Sequence, residues 1–255
     1  MDFMTISLKR EVSLVLLPID DFTEQIITGS QIRMYTEEGN RPSIRKADGY
    51  HVFCGLPDKM VRICIDGPLY QKQTLEFPTG YDGNVYQVRM LPAAGYTIPS
   101  GATCVKGRLK PGSRMRLFFQ EPKKSYKLLY DYEPGKQGKN LSLYCPDTAR
   151  LEGRTLYITE QGKEGEYFRV AAKQQEICRL EEPLHRKYKK IGTSVYPVYE
   201  VYAGNDGSFY LPVRSIPADG RCICMIAGKD GKEKMKELTL TAGKENYIYE
   251  EEEEK

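Results

Sequence analysis

Tryptophan is absent from this chain of 255 residues, and histidine occurs only twice, at His51 and His185. Two histidines so far apart in the sequence argue against a histidine-based metal site and against a Ser-His-Asp triad. The metalloprotease pattern His-Glu-x-x-His is missing as well. We therefore expect no enzyme activity, no metal and no cofactor. His51 lies in a strand-like segment, where a half-buried packing role is the simplest interpretation.

Long apolar runs are also missing. Nothing approaches the roughly 20 apolar residues of a membrane span, and the run at 12–17 is too short for a secretory leader. Cysteine is present at an odd count of seven, without a Cys-x-x-Cys pair. A free thiol in an apolar strand packs as a small hydrophobe. We expect reduced thiols and a cytoplasmic protein, with release as part of a particle left open.

Turn formers and tyrosine are what the chain has in excess, with 23 glycines, 15 prolines and 19 tyrosines. This composition favours an all-β protein, and we expect less than about 15% helix. The formal net charge of +3 is modest and does not indicate a nucleic-acid partner. The acidic end at 250–255 is typical of a solvated, disordered tail.

One pattern occurs near both ends of the chain. Asp48-Gly49 and Asp206-Gly207 each begin it with a turn signal, because glycine there supplies the positive φ of a tight turn. A short apolar strand, a Leu-Pro or Ile-Pro turn and a second short strand follow each of them. We interpret each copy as a hairpin that closes a separate sandwich. The predicted fold is all-β, with two small antiparallel β-sandwich domains of transthyretin-like or immunoglobulin-like type in tandem.

The turn signals and the strand pattern divide the chain into five parts. We expect an N-terminal arm at 1–11, a first β-sandwich at 12–95, and an extended linker at 96–102 that Pro99 stiffens. A second β-sandwich follows at 103–249, with a large insert at about 111–200. The acidic tail at 250–255 ends the chain.

The repeated pattern resembles a known family. Residues 48–57 match the Asp-Gly-Tyr-x-Val-Phe-x-x-Leu-Pro signature of carboxypeptidase-regulatory-like domains, which have a transthyretin-like (prealbumin-like) β-sandwich fold. The copy at 206–226 is similar, with two extra residues between Phe209 and Pro217. The zinc ligands of carboxypeptidases belong to a separate catalytic domain, so this resemblance implies no metal site.

A narrower resemblance depends on the order of several short strings. Residues 41–50, 88–92, 96–103 and 106–107 follow one another as in accessory proteins of phage-tail-like contractile injection systems. In those proteins one such sandwich is tethered to a second by a Tyr-x-Leu-Pro-x-Gly-x-Thr joint. The match covers 12–110 and 200–248 but not the insert. It implies an assembly role.

Two sets of side chains are candidates for an interaction surface. The first set is the densest basic segment, which contains Arg186, Lys187, Tyr188, Lys189 and Lys190. The second set consists of Tyr199 and Tyr202 in a later strand. The basic segment has the chemistry to bind phosphates, to stack on a base, or to contact an acidic protein, and the alternative is a solvated loop. Cys222 and Cys224 lie two apart on one strand face, and we favour core packing there over a soft-metal or redox site.

The sequence therefore predicts a non-catalytic structural, assembly or protein-interaction component. Its partners would be proteins of a larger assembly, without nucleic acid and without a membrane span, and its oligomeric state is left open. The alternative function is a module that binds carbohydrate or a cell-surface polymer through exposed tyrosines. The absence of tryptophan counts slightly against the carbohydrate alternative.

Overall fold

The structure is a computed structural model that describes residues 11–80, 83–121, 125–146, 150–161, 163–229 and 231–249. Most of the expected arm and the whole acidic tail lie outside these residues. Nearly all regular structure is β-strand, and the described part of the chain has one short helix, α1 (Pro134–Gln137). The all-β prediction is confirmed. The chain divides into two compact units, one formed by Gln25–Met90 with the segment up to Asp21, and the other by Leu91 onward with Phe22–Glu24.

The first unit is a sandwich of seven strands. They are β1 (Val12–Asp20), β2 (Arg33–Thr36), β3 (Ile44–Arg45), β4 (His51–Cys54), β5 (Met60–Gly67), β6 (Tyr70–Pro78) and β7 (Tyr86–Met90). Their orders are β3-β4-β1-β7 in one sheet and β2-β5-β6 in the other. Leu14 and Leu16 of β1 are almost fully buried, as are Ile63 and Ile65 of β5. Burial of each such side chain stabilises the folded unit by about 1.5–3 kcal/mol.

The described residues of the second unit form twelve strands. They are β8 (Thr103–Arg108), β9 (Arg114–Phe118), β10 (Lys127–Leu128), β11 (Asn140–Tyr144), β12 (Thr155–Glu160), β13 (Glu166–Gln174), β14 (Ile177–Leu180), β15 (Thr193–Tyr202), β16 (Ser208–Val213), β17 (Arg221–Ala227), β18 (Glu233–Thr239) and β19 (Glu245–Tyr249). A sheet of order β16-β8-β19 packs against part of a nine-stranded sheet of order β10-β11-β14-β13-β12-β15-β9-β17-β18.

The two sandwiches share one strand arrangement. In the first, β1 pairs antiparallel with β4 and parallel with β7. In the second, β8 pairs antiparallel with β16 and parallel with β19. The opposite sheets match as well, because β2-β5-β6 corresponds to β9-β17-β18. The second unit differs by the additional strands β10–β15, which lie between β9 and β16 in sequence and enclose a core of their own. Strand β9 falls within the range 111–200 that we expected for the insert, but it belongs to the sandwich frame.

The repeated pattern does not form the hairpin that the sequence predicted. Strands β4 and β5 belong to different sheets, and so do β16 and β17. The Leu-Pro and Ile-Pro segments therefore carry the chain from one sheet to the other, and each copy is an arch that joins the two layers. The predicted pairing across these proline turns was wrong, because local turn signals do not specify which strand a segment pairs with. The Asp48-Gly49 turn does lie between two antiparallel partners, but they are β3 and β4.

Strand β15 connects the inserted layer to the sandwich. Its first half, Thr193–Pro197, pairs with β12, and its second half, Val198–Tyr202, pairs with β9. Pro197 is the last residue of the first ladder. Proline has no N–H to donate to a strand ladder. Pro197 lies where the ladder with β12 ends and the ladder with β9 begins, so the missing N–H costs little stability.

Candidate functional site

The two Asp-Gly turns have the same hydrogen bonds. The N–H of Gly49 donates to the carbonyl of Lys46 at 3.1 Å, and the N–H of Gly207 donates to the carbonyl of Gly204 at 2.9 Å. Their φ angles are 94° and 80°. Asp206 accepts hydrogen bonds from the N–H and the hydroxyl of Ser208, which lowers the pKa of its carboxyl group. Asp48, Gly49, Asp206 and Gly207 thus build turns.

The basic segment 186–190 is matched by carboxylates from other loops. The guanidinium of Arg186 pairs with Glu164 at 3.1 Å, and the amine of Lys187 lies 3.7 Å from Glu133. Asp131 binds the amine of Lys189 at 3.0 Å and the N–H of Lys190 at 2.7 Å, and these two contacts lower its pKa. The segment is therefore not a bare positive patch.

Tyr188 lies in the interior rather than on this surface. Its side chain is 3% exposed, and its hydroxyl donates to Glu166 at 3.0 Å. Burial and the neighbouring carboxylate raise the pKa of its phenol. Its ring packs in the core of the inserted layer, so it is not available to stack on a base.

The tyrosines expected to be exposed are mostly packed. Tyr199 is half-buried against the core of the second sandwich, and its ring meets that of Phe119 edge-on at 6.0 Å. Tyr202 is 45% exposed, and its hydroxyl lies 3.5 Å from Glu200. Elsewhere in the second unit, Tyr132 and Tyr196 are buried and Tyr130 is exposed.

His51, Cys222 and Cys224 all lie in the interior, in agreement with the packing role that the sequence predicted for them. His51 is more deeply buried than expected, at 2% exposure, and burial together with Arg45 lowers its pKa to about 4. Cys222 and Cys224 face the core of the second sandwich, and burial raises their pKa values to about 11 and about 12. Within the described ranges, no cluster of three or more histidine, cysteine or carboxylate side chains is able to hold a metal ion.

An exposed pair of tyrosines lies on the last strand. Tyr247 and Tyr249 are 58% and 62% exposed, and their rings stack with centroids 6.4 Å apart and an interplanar angle of 8°. The hydroxyl of Tyr247 donates to Glu245 at 2.7 Å, and Glu245 also pairs with Lys106. We call Glu245, Tyr247 and Tyr249 the β19 edge. The tyrosines of this group thus contact each other and Glu245.

The main chain of the β19 edge points outward. Glu245 is the register partner of Cys104, whose N–H donates to the carbonyl of Lys244. In a parallel ladder, the residues before and after the register partner bond to the neighbouring strand. The N–H and C=O groups of Glu245, Tyr247 and Tyr249 therefore point away from β8. Among the described strands none pairs with this side of β19.

A second aromatic group lies on the opposite side of the nine-stranded sheet from the sandwich core. We call Phe118, Tyr157, Tyr167 and Tyr196 the aromatic face. Phe118 stacks on Tyr157 at 4.4 Å, and the guanidinium of Arg116 lies 4.4 Å from the ring centre of Tyr167.

A carboxylate lies beside the aromatic face. Glu200 accepts from Arg116 at 3.3 Å and from the hydroxyl of Thr155 at 2.8 Å. The Tyr167 hydroxyl is buried and has no hydrogen-bond partner within the described part of the chain, and burial raises its pKa. The aromatic face thus combines aromatic rings with one buried, unpartnered hydroxyl and a neighbouring carboxylate that is already hydrogen-bonded.

The edge of β19 was not among the candidate surfaces predicted from the sequence. The alternation of Glu245, Tyr247 and Tyr249 with inward Asn246 and Ile248 was the available signal. The exposed edge depends on the pairing with β8, which lies about 140 residues earlier. Among the described helices, none has the length and apolar character that crossing a membrane requires.

Comparisons with known proteins do not identify the family. No protein-family model matches the chain, and no curated protein matches it. Among solved structures, the chain is similar to a DUF3823 family protein from Bacteroides ovatus ATCC 8483, with a TM-score of 0.24 and 11% sequence identity over 91% of this chain and 100% of that chain. A likeness at this TM-score carries no argument about function.

Proposed function

We propose that the protein is a non-catalytic component that binds a partner protein within a larger assembly. The observation that carries this proposal is the β19 edge. There, exposed main-chain groups stand beside two stacked tyrosines. An extended partner segment adds a strand by bonding to such an edge, and side-chain contacts then give specificity. Tyrosine is enriched at protein interfaces, because its ring is apolar and its hydroxyl accepts a wet environment.

The edge strand β18 shows how this fold protects an edge that stays unpaired. Its seven residues are almost all exposed and include Glu233, Lys234, Lys236 and Glu237. Charged side chains along an edge strand oppose pairing with another chain. The β19 edge carries a single charged side chain, which Lys106 neutralises. This contrast favours β19 as the strand that receives a partner.

The nature of the assembly is the finer part of the proposal. The order of short strings between 41 and 107 resembles accessory proteins of phage-tail-like contractile particles, so we propose such a particle as the assembly. The carboxypeptidase-regulatory-like resemblance accounts for a scaffold of this kind. All seven cysteines are free thiols, which supports assembly in a reducing cytoplasm before any release.

Isolation of the native assembly tests this proposal. The N-terminally tagged chain is recovered from native lysate, and the co-purifying proteins are identified by mass spectrometry. We expect sheath or tube proteins with the unmodified chain, and their loss with Tyr247→Pro, which removes an outward N–H without breaking the ladder to β8.

The matched control for this isolation is Tyr130→Ser, which changes another exposed tyrosine, 70% accessible, away from β19. It should retain the partners. Recovery of the monomer alone, or equal recovery with Tyr247→Pro, would contradict the proposal.

The aromatic face favours a second candidate function, the binding of carbohydrate. Sugar rings stack on aromatic side chains, while charged and hydroxyl groups bond to their hydroxyls. Two rings of the aromatic face, Tyr157 and Tyr167, are partly exposed next to Arg116 and Glu200 and offer both kinds of contact, whereas Phe118 and Tyr196 are buried. A glycan array with the monomer tests it, with Tyr157→Ala as the variant that removes one of the partly exposed rings. Array binding that Tyr157→Ala weakens would favour this candidate, and no array binding would reject it.

A further inference from the structure

A polar cleft lies between the two sheets of the first unit. The chain before β3 still bonds to β2, since the N–H of Ser43 donates to the carbonyl of Met34 at 2.9 Å. Beyond that bond the strands diverge, because β2 pairs with β5 while β3 pairs with β4. The divergence opens a cleft of about 610 Å³. This volume is within the range of about 300–1,000 Å³ that small-ligand sites occupy.

Buried and charged side chains line this cleft, which we call the arginine cleft. Ile32, Met34 and His51 are each 3% exposed or less, and they form its buried lining. Arg33 and Arg45 also line it, and both are exposed. Apolar surface beside a few polar groups is the usual composition of a ligand site.

The two arginines differ in what already holds them. The Nε of Arg33 donates to Asp66 at 3.1 Å, and Asp66 also accepts from the hydroxyl of Tyr35 at 3.1 Å. Among the described residues, none forms a hydrogen bond or an ion pair with the guanidinium of Arg45. Its charge acts on the cleft directly, because it helps to lower the pKa of His51. The arginine cleft therefore contains one cation without a matching anion.

His51 supplies a second polar group to the cleft. Its Nδ1 lies 2.8 Å from the hydroxyl of Ser43, which holds the ring in one orientation. The other ring nitrogen, Nε2, has no hydrogen-bond partner among the described residues. A buried imidazole with one nitrogen held and the other open is arranged to bond to a ligand.

We infer that the arginine cleft binds a small organic anion, with Arg45 pairing its carboxylate or phosphate group and the open nitrogen of His51 forming a hydrogen bond to it. The guanidinium presents its N–H groups as a fork that matches such oxyanions. Arg33 contributes from the opposite strand through the N–H groups that Asp66 leaves open. This inference concerns the first unit and does not depend on the β19 edge.

Imidazole NMR signals test the inference, since the chain has only two histidines. The unmodified protein is titrated with citrate and, separately, with inorganic phosphate, at constant ionic strength maintained with chloride. We expect a saturable shift of the His51 signal and no comparable shift of His185. Saturation with citrate alone identifies a carboxylate ligand, and saturation with phosphate alone identifies a phosphorylated one.

Two variants distinguish binding at a specific site from nonspecific electrostatic attraction of the anion. Arg45→Ala should weaken binding of the effective probe by about tenfold or more. Lys46→Ala removes a neighbouring exposed charge outside the cleft and should leave the affinity unchanged. Equal weakening by both variants would overturn the inference. A His51 shift that only follows total salt, with neither probe saturating, would overturn it as well.

Discussion

His51 makes the stability of the first unit depend on pH. Its pKa is about 4 in the folded chain and 6.5 when unperturbed, so the unfolded chain binds the proton more tightly. Stability is complete above pH 6.5 and falls as the pH drops toward 4. Over that interval the unmodified protein should lose about 2 kcal/mol more unfolding free energy than His51→Gln. Denaturant titrations at several pH values measure this difference.

The control for this pH dependence is His185→Gln, which changes the exposed histidine. It should leave the pH dependence as it is in the unmodified chain. An unaltered slope in His51→Gln would show that the buried imidazole does not resist protonation.

The thiols should react according to their burial. Cys64, Cys104, Cys178, Cys222 and Cys224 are buried, whereas Cys54 and Cys145 are partly exposed. Burial raises the pKa of Cys178 to about 12, and a protonated thiol is a poor nucleophile. Brief iodoacetamide treatment of the native protein should label only the two partly exposed cysteines, as read by peptide mass spectrometry. Rapid labelling of Cys222 or Cys224 would contradict the core assignment.

Residue-level reasoning succeeded where the local sequence decides the outcome. The paired cysteines follow from strand alternation, and their core position was predicted. The basic segment shows the opposite case, because its carboxylate partners Asp131, Glu133, Glu164 and Glu166 come from other parts of the chain. No pattern within 186–190 shows that these charges are matched.

At the scale of the element, the Asp-Gly turns leave little room for a side chain. A Cβ on Gly207 would lie 2.4 Å from the carbonyl oxygen of Leu109, and one on Gly49 would lie 2.9 Å from that of Ile27. Both glycines also have positive φ. Alanine at either position should lower the unfolding free energy by about 2–3 kcal/mol, as measured by denaturant titration.

Gly55→Ala is the matched substitution for these two. Its φ of 62° is also positive, but a Cβ there would meet nothing within 4 Å. The expected loss is about 1 kcal/mol, from backbone strain alone. Equal losses at all three glycines would show that close packing does not constrain the two turns.

Strand pairing could be predicted only in part. The turns and most strands were recognisable, because glycine, proline and alternation are local signals. Whether β4 pairs with β5 is decided by contacts with β1, so the hairpin interpretation failed while the turn positions held. Proline is typical of an edge strand or a bulge, and only the pairing with β12 and β9 shows that Pro197 lies where one ladder ends and the next begins.

At the scale of the whole molecule, the two units are β-sandwiches whose strands are arranged in the same way. The first and last strands of each unit pair in parallel at its three- or four-stranded sheet. The last strands nevertheless differ in exposure. Most of β7 is buried, with Val88 and Met90 at 2% exposure or less, whereas β19 exposes two tyrosines. This difference between equivalent strands is why the proposed partner site is assigned to the second unit.

Hydrogen exchange of the β19 main chain tests this account most directly. The amides of Glu245, Tyr247 and Tyr249 are compared between the isolated chain and the purified native assembly. We predict rapid exchange in the isolated chain and strong protection in the assembly, because an added strand bonds to the outward N–H groups. Equally rapid exchange in both states would show that no partner adds a strand at this edge.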